Sequence, residues 1–293
     1  GGNLYIATSS SSTFATSTTP ALTIDNNGFL GIGTSTPTQT LSVNGNAYVS
    51  GNLNIGQITS GGAQFQIGGL GILTRVGTAI IGGDLSGNTR GASTLDIQSG
   101  RTAAIQVASQ DRSTAIGYAN SASGYFSTAS GYKNIASGAN SSSAFGSTNT
   151  ASGDTSTAVG YLNTASGANS TAVGRSSSAD GGFSSAFGYN SSASEYKSTA
   201  LGSNNSASGY KSTASGYGNL SLGTSSSAFG FRNTSSATSS SAFGKSNTAS
   251  GLYGSSAFGF SNRATASSSV AFGANNIASA TSSSAFGSFI TNS

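Results

Sequence analysis

The sequence contains no cysteine and no histidine, and Glu195 is its only glutamate. Without cysteine, disulfide bonds and thiolate chemistry are excluded. The usual nucleophile–base and acid–base pairs of enzymes are missing as well. The aspartates are scattered without the spacing of a metal site: Asp25, Asp84, Asp96, Asp111, Asp154 and Asp180. We therefore expect a protein that is not an enzyme and that has no cofactor and no metal.

Charge and long apolar runs are also scarce. Charged residues make up 6% of the chain, and eleven basic against seven acidic side chains give a net charge of +4. Because the basic residues are spread singly, a nucleic-acid partner is not expected. No stretch approaches the roughly 18 to 20 apolar residues of a membrane helix, and no signal peptide is found, so no membrane insertion is expected in this segment. The chain begins with Gly1 rather than Met, which indicates a processed protein or part of a longer one.

What the sequence does contain is a repeat. The phrase Ser-x-Ala-x-Gly returns thirteen times at an almost fixed interval between Ser113 and Gly287. Its glycines are 14 residues apart except for two steps of 15: Gly117, Gly131, Gly146, Gly160, Gly174, Gly188, Gly202, Gly216, Gly230, Gly244, Gly259, Gly273 and Gly287. Self-similarity at a fixed short period indicates a solenoid built of small stacked units.

Each unit has two halves of seven residues. Counted from the glycine, the third position is Asn and the fifth is Ala in ten of twelve complete units. Since side chains of a strand alternate between faces, Ser, Ala and Gly of one half share a face, as do Asn, Ala and Gly of the other. A position that is Ala thirteen times has no room for a larger side chain. We predict that Ala115, Ala129 and their equivalents line a narrow interior, with Ala122 and Ala136 opposite them.

The residue after this alanine then points outward and forms an apolar column. Such a stripe is larger than a soluble monomer normally exposes, which favours a closed homo-oligomer whose interface it forms. The predicted interface residues are Ile116, Phe145, Val159, Val173, Phe187, Leu201, Phe229, Phe243, Phe258, Phe272 and Phe286. Ser130 and Ser215 interrupt the column, and in a trimer each would place three hydroxyls around the axis, in a layer that should hold water or an anion.

Two segments of the repeat region resemble a known protein family. STAVGYLNTASGANSTAVG (Ser156 to Gly174) and SASGYKSTASGYGN (Ser206 to Asn219) resemble the head repeats of trimeric autotransporter adhesins, over roughly Gln110 to Gly287. The resemblance implies left-handed parallel β-rolls wound into an intertwined homotrimer. This sequence departs from the family in having Phe where Ile or Val is usual, and Ser or Thr at a second position that is often Val.

The N-terminal region carries a different resemblance. Asn27 to Leu53, NGFLGIGTSTPTQTLSVNGNAYVSGNL, is similar to segments of phage tail-fibre-like and large bacterial surface proteins, which are typically trimeric and built of short strands. Short apolar runs between turn clusters predict strands here: Leu4 to Ile6, Ala21 to Ile24, Phe29 to Ile32, Leu41 to Val43, Ala47 to Val49 and Leu53 to Ile55. The tract Thr8 to Thr19 is interpreted as a linker, with O-glycosylation as the alternative.

We therefore predict an all-β protein in three parts. Residues 1–57 form a tail-fibre-like β segment with its Ser/Thr linker, residues 58–109 contain transitional strands and a cap, and residues 110–293 form the 14-residue-repeat β-roll. Apolar alternation predicts strands in Phe65 to Ile72 and Val76 to Ile81. Arg90, Asp96 and Arg101 are interpreted as a capping ion pair, in preference to a ligand site, because the end of a solenoid must be covered.

Three surface features have alternative interpretations. The Asn column could bind sugar, but Asn near a Gly turn more often satisfies backbone groups and tolerates left-handed geometry. The tyrosines after the glycine are candidate ligand-facing residues that could stack on carbohydrate or cover the subunit seam: Tyr118, Tyr132, Tyr161, Tyr189 and Tyr217. A Thr-x-Ser ladder on the second half resembles an ice-binding surface, although Ile135, Leu220, Leu222, Arg263 and Ile277 interrupt it.

The function favoured by these observations is that of an extracellular structural fibre or adhesin head, which presents a repetitive polar surface for attachment. The alternatives are a phage tail-fibre segment and, as a minor one, an ice-binding protein. The expected location is extracellular, on a cell or virion surface. The expected partners are further copies of the chain in a homotrimer, together with a host-surface glycan or protein.

Overall fold

The computed structural model describes residues 4–6, 21–44, 64–67, 70–76, 79–83 and 86–293, with the backbone alone for 4–6 and 64–83. The chain divides into two units, Gly1–Ile58 and Thr59–Ser293. Within the described ranges every element is a strand, so none of them is a helix that could cross a membrane. The predicted strands Ala47 to Val49 and Leu53 to Ile55 and the tract Thr8 to Thr19 lie outside the described residues. The three-part division stays a prediction.

The first unit contains a sheet of four short strands: β1 (Leu4–Ile6), β2 (Leu22–Ile24), β3 (Leu30–Ile32) and β4 (Leu41–Val43). β1 and β3 pair with β2 in antiparallel orientation, whereas β4 lies parallel to β3. In the turn after β2, Asp25 Oδ1 accepts hydrogen bonds from the backbone N–H groups of Asn27 (2.9 Å) and Phe29 (2.8 Å). The strands at these four places and the turn between β2 and β3 are thus as predicted.

The second unit is a parallel solenoid in which each rung has one strand of five residues and one of two. The five-residue strands are β9 (Thr114–Tyr118), β11 (Thr128–Tyr132), β13 (Ser143–Ser147), β15 (Thr157–Tyr161), β17 (Thr171–Arg175), β19 (Ser185–Tyr189), β21 (Thr199–Ser203), β23 (Thr213–Tyr217), β25 (Ser227–Phe231), β27 (Ser241–Lys245), β29 (Ser256–Phe260), β31 (Val270–Ala274) and β33 (Ser284–Ser288). The two-residue strands are β10 (Ser121–Ala122), β12 (Ile135–Ala136), β14 (Thr150–Ala151), β16 (Thr164–Ala165), β18 (Ser178–Ala179), β20 (Ser192–Ala193), β22 (Ser206–Ala207), β24 (Leu220–Ser221), β26 (Thr234–Ser235), β28 (Thr248–Ala249), β30 (Arg263–Ala264), β32 (Ile277–Ala278) and β34 (Thr291–Asn292).

Equivalent residues of successive rungs stand in register. Gly131 pairs with both Gly117 and Gly146, and Ala122 pairs with Ala136. Both 15-residue steps keep this register, because the pairings resume unchanged across them. The predicted parallel solenoid is therefore confirmed, and the constant glycines of consecutive rungs are stacked neighbours.

The interior of the solenoid is lined by alanine. Ala115, Ala122, Ala129 and Ala136 are 0% exposed, and so are their equivalents in most rungs. The constant glycine has a separate cause: at Gly160 φ is +120°, and a Cβ would lie 2.0 Å from the backbone oxygen of Gly174. Since that oxygen belongs to the next rung, any side chain here would push two rungs apart. The predicted inside and outside of the roll are confirmed.

The long sheet continues before the first repeat. It runs from β5 (Gln64–Ile67) through β6 (Leu70–Val76) and β7 (Ala79–Gly83), which pair in antiparallel orientation, to β8 (Leu95–Gln98). β8 lies parallel to both β7 and β9. Strands are thus present in the predicted region, but three of them, β5 to β7, take the place of the two predicted runs Phe65 to Ile72 and Val76 to Ile81. The stack of rungs begins with β8.

A buried ion-pair cluster closes this end of the alanine interior. Asp96 pairs in register with Ala115 and is 0% exposed. Its carboxylate accepts hydrogen bonds from Arg90 Nε and Arg101 Nη2, each at 2.8 Å. Gln98 Nε2 donates to Asp96 Oδ1 at 2.9 Å. A buried carboxylate needs such partners, and the predicted capping ion pair is present.

Candidate interaction surfaces

The outward face of the long strands carries the apolar column, defined as the residue after the interior alanine in each rung. In the single chain Phe145, Phe187 and Leu201 are 37–39% exposed, and Phe272 is 54% exposed. Phe243 stacks between Phe229 (ring centroids 4.8 Å apart) and Phe258 (5.3 Å apart). In-register parallel strands place identical side chains one strand spacing apart, which is why the rings stack. All the predicted interface residues therefore occupy one outward column.

Two polar breaks lie within this column. Ser130 pairs with Ile116 on one side and Phe145 on the other. Ser215 likewise lies between Leu201 and Phe229. Both serines are half-buried in the single chain. Each break is thus one rung deep and is bordered by apolar side chains above and below.

The residue after each glycine forms a second outward column, the aromatic column. Tyr118 and Tyr132 stack at 5.3 Å. Arg175 lies between the rings of Tyr161 (5.7 Å) and Tyr189 (5.6 Å). These residues are two positions beyond the apolar column on the same strand. Four of the five predicted tyrosines, Tyr132, Tyr161, Tyr189 and Tyr217, are 44–48% exposed.

The asparagine column is not a surface feature. The asparagines are at most 1% exposed. The side chain of Asn134 shows the repeated pattern: Nδ2 donates to the backbone oxygens of Ser130 (2.9 Å) and Gly146 (2.7 Å), and Oδ1 accepts from Asn149 N–H (2.9 Å). The series, here called the asparagine ladder, comprises Asn120, Asn134, Asn149, Asn163, Asn205, Asn219, Asn233, Asn247, Asn262 and Asn276. These side chains cannot reach a sugar, and the structural interpretation is confirmed.

The predicted left-handed geometry of the asparagine is wrong. The residue with left-handed backbone is the one before the asparagine, as at Lys133 (φ 53°) and Leu162 (φ 57°). The ladder begins at the cap, where Gln98 Oε1 accepts a hydrogen bond from Asn120 N–H at 2.6 Å. It is interrupted at Ser177 and Ser191, whose shorter side chains are also buried. The asparagine column is visible in the sequence pattern, but only the structure shows that its side chains join one rung to the next.

The outward positions of the short strands form the polar face. Thr164 is half-buried, and Ser166 is exposed. Asp180 accepts hydrogen bonds from the hydroxyls of Ser166 (2.5 Å) and Ser178 (2.8 Å). The face therefore carries a row of hydroxyls in register from rung to rung. Among the described residues, no three metal-ligating side chains lie close enough together to hold an ion.

The comparisons with known proteins agree with this geometry. The model of the YadA head domain repeat, which spans two copies of the unit, matches eight overlapping segments: residues 108–134, 122–142, 136–163, 165–191, 193–219, 221–247, 253–276 and 264–289. No curated protein matches the chain. The matched segments coincide with the rungs and cover more than half of the 293 residues. The resemblance to the head repeats of trimeric autotransporter adhesins is confirmed, and the chain belongs to the family of YadA head-domain repeats, an adhesin type of surface protein.

Proposed function

We propose that the chain is the head of a homotrimeric cell-surface adhesin that attaches through its outer surface and has no catalytic role. Three chains meet along their apolar columns about a common axis. The observation that carries this proposal is the column itself, which runs through successive rungs on one face and stays partly exposed in the single chain. Family membership supports the same arrangement.

The apolar surface that a trimer would cover is large enough to drive its assembly. Phe187 is 38% exposed, and an aromatic side chain carries roughly 200 Å² of surface. Covering the exposed part removes about 75 Å² from water, or about 2 kcal/mol per chain. The other rungs with an apolar member of the column make similar contributions, which add along the axis; the rungs of Ser130 and Ser215 do not.

The test compares the two faces of one strand. Phe243→Asp would bring three carboxylates together in a dry layer, so we expect monomers whose β-structure is intact. Ala242 is 0% exposed, and Ala242→Phe would overfill the interior and disrupt the rung itself. Light scattering gives the mass and circular dichroism gives the β-content. A Phe243→Asp variant that keeps a trimer mass would refute the proposed interface.

The polar breaks and the aromatic column belong to the same arrangement. We propose that Ser130 and Ser215 each form a layer of three hydroxyls that holds water or an anion. A high-resolution electron-density map with both layers dry and filled by other side chains would contradict this. The exposed tyrosines Tyr161 and Tyr189 are proposed to face a ligand. If their substitution by Ser dissociates the trimer, they cover the seam instead.

Two other functions rest on specific observations. The resemblance of residues 27–53 to tail-fibre segments favours a phage fibre, and immunogold labelling of virions rather than cells would support it. The in-register hydroxyls of the polar face are the basis for ice binding, which thermal hysteresis would reveal. We favour the adhesin because the repeats cover more of the chain than the tail-fibre-like segment does, and because apolar and charged residues interrupt the polar face.

A further inference from the structure

The turn that leads from each short strand to the next long strand has a position with left-handed backbone. In most rungs a small polar residue occupies it, as at Asn169 (φ 56°) and Ser225 (φ 53°). Three successive rungs between them have Phe183, Lys197 and Lys211 there instead, with φ between 56° and 58°. Large side chains are unfavourable in this conformation, so the requirements of the turn do not account for them.

Aromatic rings beside these residues hold the two lysines. Tyr196 and Tyr210 stack at 5.5 Å, and Phe183 meets Tyr196 edge-on at 5.6 Å. Lys197 Nζ lies 5.3 Å from the ring centre of Tyr196, and Lys211 Nζ lies 5.1 Å from that of Tyr210. All three rings are 36–52% exposed. Each ammonium group is thereby restrained at the outer edge of its turn.

The two lysines form an uncompensated pair of like charges. They occupy equivalent positions in adjacent rungs, so their chains are about one strand spacing, roughly 4.8 Å, apart. Within residues 86–293 neither lysine is in an ion pair with a carboxylate. Glu195, on the same turn as Lys197, is exposed. Two ammonium groups on turns about one strand spacing apart repel each other, and an anion placed between them would relieve the repulsion.

We propose that this basic turn edge, formed by Phe183, Tyr196, Lys197, Tyr210 and Lys211, binds an acidic glycan chain. Sulfate or carboxylate groups of the glycan pair with the two ammonium groups, and the tyrosine hydroxyls bond its hydroxyls. The tyrosine ring faces stack on each other and on the lysines, so they are not free to stack nucleobases as single-stranded nucleic acid requires. This names a ligand class for the attachment role and rests on the proposed function. A trimer would present the edge three times, which raises avidity.

The experiment measures binding of a size-defined heparin hexasaccharide to the intact protein by calorimetry. Lys197→Asn with Lys211→Asn removes both charges without harming the turn, because Asn169 already occupies the equivalent position. The matched control is Lys133→Asn, a lysine that also has left-handed backbone (φ 53°) and lies 5.1 Å from the ring of Tyr132, but on the other turn. Light scattering on the same samples gives the oligomeric state, so that failure of the trimer and failure of the glycan site are distinguished.

We expect the double variant to bind about tenfold more weakly, since loss of charge-assisted contacts costs at least that factor. The control should change affinity by less than about twofold. Glu195→Gln should strengthen binding, and the desulfated hexasaccharide, which keeps only its carboxylates, should bind more weakly than the sulfated one. Three results would overturn the proposal: no binding of the sulfated probe by the unmodified protein, an equal loss in the control, or equally tight binding of a single-stranded DNA of matched charge.

Discussion

The asparagine ladder makes a sharp prediction for the stability of the solenoid. Asn233 Nδ2 donates to the backbone oxygens of Phe229 (2.7 Å) and Gly244 (2.8 Å) and to Asn219 Oδ1 (3.0 Å). Its Oδ1 accepts from the backbone N–H (2.9 Å) and Nδ2 (3.0 Å) of Asn247. The amide has two N–H hydrogens for these three acceptors, so one hydrogen is shared. Asn233→Ala removes all five contacts from a site that is 0% exposed.

The magnitude follows from the groups that are left behind. A buried donor or acceptor that loses its partner costs roughly 1–3 kcal/mol. Two carbonyl oxygens and one N–H of the backbone are affected, so we expect the free energy of unfolding to fall by about 4 kcal/mol. Asn233→Ser should cost about half as much, because Ser177 Oγ, at the equivalent position, still donates to Gly188 O at 3.1 Å.

The matched control for Asn233→Ser is the same substitution on the surface. Asn169 is exposed on a turn, and serine is common at its position, so Asn169→Ser should change stability by less than about 0.5 kcal/mol. Urea unfolding followed by circular dichroism, at one protein concentration, gives the free energies, and hydrogen exchange locates the loss. If Asn233→Ala costs no more than Asn169→Ser, the ladder does not stabilise the fold and the reasoning is refuted.

Two further predictions concern the interruption and the cap. Ser177→Asn combined with Ser191→Asn should complete the ladder from Asn163 onward and raise the free energy of unfolding by about 1 kcal/mol per site. Urea unfolding measures this change. If the double variant is less stable, these two rungs have no room for the larger asparagine side chain. Asp96→Asn should cost about 3–5 kcal/mol, because it removes the buried negative charge to which Arg90 and Arg101 donate hydrogen bonds, whereas Asp154→Asn on the surface should be nearly neutral in the same assay.

The inside and outside of the solenoid could be predicted from the sequence because strand geometry leaves only two faces. The alanine never varies, so it belongs to the confined interior. The large apolar residues next to it in the strand therefore belong to the outside. The cap could be predicted from the scarcity of charge. Asp96, Arg90 and Arg101 are charged residues at the start of a repeat region that otherwise contains few charged residues.

The roles of the asparagine and of the constant glycine could not be predicted in the same way. Turn statistics assign left-handed geometry to Asn and Gly, but the ladder places the asparagine inside and leaves that geometry to its neighbour, which can be Lys133 or Leu162. The repeat pattern places the constant glycine on a strand face without a reason for it, whereas Gly160 is required by the carbonyl oxygen of the next rung. Both roles depend on contacts between neighbouring rungs, which join residues about 14 positions apart in the sequence. Local sequence propensities do not describe contacts at that separation.

The break in the asparagine ladder also has a mechanical consequence. Each rung contacts only its neighbours, so a pulling force along the stack is carried in series by the hydrogen bonds between rungs. Between intact rungs the asparagine Oδ1 accepts two hydrogen bonds from the next asparagine, as between Asn134 and Asn149. Asn163 Oδ1 accepts one from Ser177, at 2.9 Å, and the next bond, from Ser191 N–H to Ser177 Oγ, is 3.4 Å long. In single-molecule stretching the first rupture should therefore occur at these rungs and leave folded segments on both sides, and a first rupture at the ends of the stack would contradict it.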